Sequence, residues 1–333
     1  ELDPSVMTLL VTGVAGFIGF HVADALLARG ERVIGVDNLN DYYDPGLKQA
    51  RLARLEGQPG FGFRRLDIAE DGALAALAGA QPEIAGVVHL AAQAGVRYSL
   101  ENPQAYLHSN VTGQLQVLEA CRRLPRLAQL VYASSSSVYG ANEKLPFSED
   151  DPVDRPTSIY AATKRAGELL AATYARLYGL PATGLRFFTV YGPWGRPDMA
   201  YWRFAEAILD GRPITLFNEG RMKRDFTYID EVVAGVLAAL DRPLAAGESP
   251  PHRLYNLGNN RPVALGRFVE ALELACGRKA ERRLAPMQPG EVEATYADIG
   301  RARRDLGFEP KTGIEEGLKR FVGWFREWNG RKA

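Results

Sequence analysis

The chain has 333 residues, 46% hydrophobic and 24% charged, with 40 basic side chains balanced by 40 acidic ones. That length suffices for one large domain or two modest ones. Zero net charge without a basic run counts against a nucleic-acid or anionic-membrane partner, and no apolar run approaches the roughly 20 residues that span a bilayer.

The run Thr8–Thr12 is a short apolar strand that leads into Gly13-Val-Ala-Gly16-Phe-Ile-Gly19 and then a helix, Phe20 to Arg29. Strand, glycine turn and helix in that order make a dinucleotide site, because the turn lets backbone N–H groups approach a pyrophosphate at the helix N-terminus. A second strand, Arg32–Val36, ends at Asp37, about 20 residues past the turn, where a carboxylate accepts from the adenosine ribose. An acid there repels a 2′-phosphate, so NAD is expected over NADP.

A loop, 38–45, precedes a basic helix from Leu47 to about Leu55. A third strand, Gly62–Leu66, ends at Asp67-Ile68. Asp67 suits either an adenine contact or the N-cap of a helix at Glu70–Ala78. A fourth strand, Gly86–Leu90, ends in Ala91-Ala92, small residues against which a flat cofactor can lie, and His89 within it reads as a core histidine. A loop carrying Arg97 leads to a long helix, 104–124, that contains Asn110. The strand Leu127–Ala133 then runs into Ser134-Ser-Ser-Ser137, hydroxyls at the strand end where open α/β sheets bind ligands.

The polar segment 139–158 is a loop that could close over a substrate. Behind it Tyr160-Ala-Ala-Thr-Lys164 opens a helix running to about Tyr178. Residues four apart share a helix face, so the ammonium is expected to lower the phenol from its ordinary pKa of about 10 and make it a base. Tyr-x-x-x-Lys is common on ordinary helices and gains meaning only from the preceding motifs.

The strand Ala182–Phe188 ends in Thr189-Val-Tyr-Gly-Pro193. Alternation of strands and helices from 8 to 190 predicts an α/β fold, a doubly wound parallel sheet. Later come a loop at 194–198, a helix at 200–209, a strand at 214–217 and the cationic cluster Arg221, Lys223 and Arg224. That cluster suits either an anionic diphosphate or solvent. A helix at 231–240 and a strand at 253–257 are expected to return to the first domain. Helices at 265–276 and 314–328 belong to a smaller C-terminal α/β lobe, with substrate between the lobes. The expected division is 7–191 plus about 225–258 for the NAD-binding domain, and about 192–224 plus 259–330 for the substrate lobe. Cys121 and Cys276 read as buried thiols of a reducing compartment, no metal site is expected, and Glu1–Val6 reads as a remnant ahead of Met7 without a signal-peptide pattern. A cytoplasmic protein is expected.

These motifs together resemble the extended short-chain dehydrogenase/reductase superfamily, whose usual glycine spacing is G-x-x-G-x-x-G. Three further stretches, Asp37–Tyr43, Gln93–Ser99 and Tyr191–Met199, look most like those of nucleotide-sugar 4-epimerases acting on UDP-glucuronate. The resemblance implies a Rossmann-type sheet and a tightly bound, recycled NAD held by Gly13, Gly16, Phe17, Ile18, Gly19, Asp37, Asn38, Asp67, Ile68, Leu90, Ala91, Ala92, Asn110, Tyr160, Lys164 and Phe187. It implies a catalytic Ser135, Tyr160 and Lys164, and a UDP-sugar held by Arg97, Ser135, Ser136, Ser137, Thr189, Arg196, Phe217, Arg224 and Gln288, with Arg224 on the diphosphate. Tyr160 would take the proton of the sugar 4-OH while C4 gives its hydride to NAD; the ketone would turn over and take the hydride on its other face. Related dehydratases carry an acid pair, and related decarboxylases a glutamate, directly after the catalytic hydroxyl, where this chain has Ser136 and Ser137. Ser136, Ser137, Thr189 and Arg196 are candidates for holding the uronate carboxylate against CO₂ loss. The competing readings are a UDP-glucose/UDP-galactose 4-epimerase, a UDP-glucuronate decarboxylase and a non-catalytic NAD-sensing protein on the same fold. A homodimer through the helices at 104–124 and 160–178 is implied as well.

Overall fold

The structure, a computed structural model, describes residues 6–244, 247–287 and 292–330. Its centre is a seven-stranded parallel sheet in the order β10-β6-β5-β4-β1-β2-β3. The strands are β1 (Thr8–Thr12), β2 (Arg32–Asp37), β3 (Phe61–Arg65), β4 (Ile84–His89), β5 (Gln129–Ser135), β6 (Ala182–Phe187) and β10 (His252–Leu257). Helices cover both faces, so β1 and β6 are buried at every position; β1 reads as a nearly continuous apolar run, while β6 also buries Thr183 and Arg186. The order reverses between β1 and β4, each parallel to the other in register Thr12↔His89, and ligand crevices form at such a reversal.

The connecting helices are α1 (Phe17–Ala28), α2 (Pro45–Glu56), α3 (Ala73–Ala80), the short α4 (Tyr98–Glu101) and α5 (Pro103–Tyr106), α6 (Gly113–Cys121), α7 (Ile159–Tyr178) and α9 (Ile229–Leu240). Three differ from the sequence reading. α1 begins at Phe17, inside the glycine motif and three residues earlier than expected. α3 is capped by Gly72, so Asp67 is not its N-cap. The expected helix 104–124 is broken by a π-helical stretch, Leu107–Thr112, an irregularity frequent at functional sites. α7 follows expectation: Ser158 accepts from the Ala161 N–H at its start, and Gly179 ends it at φ +67°, the usual left-handed C-terminal glycine.

Past residue 188 the chain builds smaller sheets. β7 (Thr189–Tyr191), β9 (Lys223–Tyr228) and β11 (Pro262–Ala264) form one, and β8 (Ile214–Phe217) pairs with β12 (Arg282–Ala285) in another. α8 (Ala200–Asp210), α10 (Leu265–Cys276), α11 (Gly300–Leu306) and α12 (Ile314–Trp328) pack around them. The strands β11 and β12 and the helix α11 were not read from the sequence. The loop 139–158 is tied down: Phe147 is buried, and its N–H donates to the Tyr296 carbonyl. Cys121 and Cys276 are both buried free thiols.

Candidate active site

One cleft of about 1180 Å³ runs over the carboxyl ends of the central strands and on between β8 and β9. Its first part is built by the glycine turn. Gly13 stands at φ +70° with a hypothetical Cβ 2.7 Å from the Ala91 nitrogen, so the turn lies directly on the end of β4. α1 has no side-chain cap, which leaves first-turn N–H groups facing the cleft, the ordinary anion-binding end of a helix. Asp37 is buried; one carboxylate oxygen accepts from the Ala15 N–H at 3.1 Å and the other from the Leu39 N–H at 2.8 Å. Each oxygen keeps a lone pair for a ribose hydroxyl. Asn38 donates to Asp67 at 3.1 Å, and His108 lies 3.2 Å from the same oxygen. Burial works to raise Asp67, but its hydrogen bonds from Ala69, Asn38 and His108 outweigh this and hold it below its ordinary value. Uncapped helix, small-residue floor and ribose-directed carboxylate fit an NAD dinucleotide.

Asn110 does not reach the cleft. Its amide donates to the Gln93 carbonyl at 2.9 Å and to Thr163 Oγ1 at 3.1 Å, and its oxygen accepts from the Gln93 N–H at 2.8 Å. It anchors the loop after β4 to α7 from behind. His89 is a core histidine, 2.7 Å from Thr12 Oγ1 and held down to about 3 chiefly by burial.

Ser135, Tyr160 and Lys164 meet in the middle of the cleft. Ser135 favours the Tyr160 phenolate, yet burial outweighs it and pushes the phenol above its ordinary value. The expected acidification draws on the nicotinamide charge as well as on Lys164, and Lys164 alone does not offset this burial. The lysine is desolvated too, brought down to about 8 by burial against the opposing pull of Glu168, and its Nζ donates to the Ala133 carbonyl at 3.0 Å. Ser134 turns away and donates to Glu168 at 2.7 Å, which is paired with the buried Arg186. Ser136 and Ser137 start a 3₁₀ turn, and the Ser137 N–H donates to Ser135 Oγ at 3.2 Å.

At the far end, Thr189, Arg196, Phe217 and Arg224 line the cleft with Arg97, whose guanidinium lies 5.0 Å from the Phe217 ring centre. Arg196 already serves Asp198 through two nitrogens, its Nε at 3.0 Å. Burial alone would depress the guanidinium, but the Asp198 carboxylate reverses this and holds it above its ordinary value. Of the cationic cluster only Arg224 faces the cleft; Arg221 is exposed and paired with Glu219 at 3.0 Å. Gln288 lies outside the described residues. Sequence reasoning missed Tyr42 and Asp198, joined at 3.2 Å, and the lining residues Arg203 and Arg212. Tyr42 and Asp198 lie within the stretches Asp37–Tyr43 and Tyr191–Met199, Arg203 lies on α8, and Arg212, beyond the end of that helix, carried no signal.

Residues 9–258 match the profile of the NAD dependent epimerase/dehydratase family. The chain belongs to that family. It is 51% identical over 330 residues to UDP-glucuronate 4-epimerase 4 of Arabidopsis thaliana, covering 96% of this chain and 75% of that one. It is 46% identical over 342 residues to a probable UDP-glucuronate 4-epimerase of Rhizobium meliloti, covering 98% and 99%. Among solved structures it is similar to the UDP-glucuronic acid 4-epimerase of Bacillus cereus in complex with UDP-glucuronic acid and NAD, with a TM-score of 0.89, 35% identity and coverage of 97% and 100%. No helix of the described residues is long and apolar enough to cross a membrane.

Proposed function

We infer that the chain is an NAD-dependent isomerase that inverts C4 of UDP-glucuronate, giving UDP-galacturonate through a transient 4-keto sugar. The observation that carries this reading is the meeting of Ser135, Tyr160 and Lys164 in one cleft with the glycine turn and Asp37. Bound NAD supplies the hydride acceptor and, once the sugar has turned, the donor. Tyr160 takes the 4-OH proton and later returns it; Ser135 holds both the phenol and the sugar oxygen. The nicotinamide charge of a bound cofactor would join Lys164 in lowering the phenol against this burial.

The residues called cofactor- and substrate-binding above are proposed in those roles, except that Asn110 acts from behind through Gln93. Arg224 and Arg97 suit the diphosphate. Ser136, Ser137 and Thr189 offer neutral hydroxyls to the uronate carboxylate, which avoids the desolvation cost of a buried ion pair. Arg196 can add only what Asp198 leaves it. The absence of a carboxylate at 136 and 137 argues against dehydration and decarboxylation. We place the NAD-binding domain at 7–191 plus about 225–258 and the nucleotide-sugar lobe at about 192–224 plus 259–330; the β7-β9-β11 sheet joins strands of both. A homodimer through 104–124 and 160–178 suits the exposed Leu107, Leu115, Leu169, Leu177 and Tyr178, and the free thiols suit the cytoplasm.

The test is incubation of purified protein with UDP-glucuronate and no added NAD, followed by proton NMR. UDP-galacturonate is expected, which also requires retained NAD. A UDP-pentose would mean a decarboxylase, and turnover of UDP-glucose alone would mean a neutral-sugar epimerase.

A further inference from the structure

Arg51 lies on α2, which the sequence presents as a basic surface helix, yet its side chain is fully buried. It donates to four acceptors on three segments: the Ala15 carbonyl at 2.8 Å, Tyr43 Oη at 2.7 Å, and the Trp194 and Gly195 carbonyls at 2.6 and 2.9 Å. Its Nε has no partner among the described residues. A buried guanidinium with an unsatisfied nitrogen is a costly element, and bulk packing could be had from an apolar residue. The segment it grips is itself strained: Trp194 stands at φ +60°, a left-handed conformation that a bulky residue keeps only where the surroundings enforce it. The same segment is held by His21, whose Nε2 donates to the Pro193 carbonyl at 2.9 Å, and by the rings of Phe20, Trp324 and Trp328 around Trp194. Two residues further on is Arg196, locked to Asp198, which accepts from Tyr42.

Tyr42 thus ties its loop to Asp198 at the far end of the 194–198 segment, and Arg51 joins Tyr43 and Ala15 to the near end at Trp194 and Gly195. Ala15 lies within the glycine turn, and its N–H is already on Asp37. We propose that Arg51 is a positioning residue for the substrate end of the cleft: by holding the Trp194 and Gly195 carbonyls, it fixes where Arg196 stands relative to the glycine turn and Tyr160. It touches neither substrate nor cofactor. This rests on the reading of Arg196 as a group that faces the uronate. With Arg51 removed, the strained segment relaxes, and the carboxylate is no longer kept out of alignment with the C4 carbonyl. More turnovers then end in loss of CO₂ from the 4-keto intermediate, with a proton replacing it on the sugar carbon.

The test uses Arg51→Met and Arg51→Lys, with turnover expressed per bound NAD, measured on the nucleotide released from each preparation. For both variants we expect turnover of UDP-glucuronate to fall tenfold or more and the share of turnovers releasing CO₂ to rise at least fivefold, with lysine, which keeps one carbonyl contact, less affected than methionine. A merely structural role would lower the melting temperature and the yield but leave both quantities at wild-type values, and that result overturns the proposal. Should neither variant fold, Tyr43→Phe removes one acceptor of Arg51; a two- to threefold shift in the same direction supports the role, and no shift overturns it. If wild-type protein turns over UDP-glucose and not the uronate, the substrate reading fails separately. The same variants are then read on UDP-glucose turnover per NAD, where an unchanged value overturns the positioning role.

Discussion

Gly19→Ala probes how the glycine turn holds the dinucleotide. A Cβ there would stand 2.0 Å from the Gly13 carbonyl oxygen and 2.7 Å from its carbon, both backbone atoms. Since real Cβ contacts stay beyond 3.0 Å, the turn and the first turn of α1 must part by about 1 Å, an overpacking cost of about 1–3 kcal/mol. Better helix propensity returns less than about 1 kcal/mol. The separation also carries first-turn N–H groups away from the pyrophosphate. Losing one charge-assisted hydrogen bond is worth about 1.5–3 kcal/mol, or roughly ten- to a hundredfold in NAD affinity. The assay is NAD content of the purified protein together with its thermal melt. We expect a folded chain that melts several degrees lower and has lost most of its NAD. Gly79→Ala is the control: it lies in α3 with nothing within 4 Å of the added Cβ, and should gain up to about 1 kcal/mol with full NAD. Full NAD and a wild-type melt in Gly19→Ala would refute the packing argument.

Tyr160→Phe should lower turnover by about 10²–10⁴, the usual contribution of a positioned acid–base group, while bound NAD stays at the wild-type level; loss of NAD in step with activity would point to a structural role. Lys164→Met should be more stable than wild type at pH 7. Burial lowers Lys164 from 10.5 to about 8, so its charged form costs the fold on the order of 3 kcal/mol below pH 8, offset in part by the Ala133 carbonyl it satisfies. That cost falls away as pH rises from 8 towards 10.5, so the advantage seen in thermal melts should shrink steadily across that window; a difference independent of pH would contradict the shift. Leu177→Asp, at a side chain 64% exposed on α7, should convert a dimer to a monomer in sedimentation with little change in melting. A wild-type monomer would end the dimer proposal.

What the sequence made legible was local. Gly13 to Gly19 and Asp37 are read from spacing along a strand, turn and helix, and the burial of β1 follows from its apolar run. What it hid depends on contacts between distant segments. Arg51 looks like one more basic residue until Trp194 and Gly195, more than 140 positions away, supply its acceptors. Only the family resemblance put Asn110 on the cofactor, but the π-helical stretch accompanies a side chain turned back onto Gln93. The sign of the Tyr160 shift needed the depth of burial, which four-residue spacing does not carry. β12 and β11 are short, and β12 is mostly exposed, so neither has the apolar pattern that marks a strand. The three stretches that resembled uronate epimerases, around Tyr42, Gly95 and Arg196, do converge: a Cβ on Gly95 would lie 2.6 Å from Tyr42 Oη and 3.7 Å from the Asp198 carboxylate.

The central claim, reversible hydride removal at C4, is tested most directly with UDP-glucuronate carrying deuterium at C4, incubated with the protein in ordinary water. A hydride that leaves and returns within one cleft predicts UDP-galacturonate with the deuterium retained at C4. Deuterium washed out into water, with inversion all the same, would mean that a proton and not a hydride is removed, and would contradict the account.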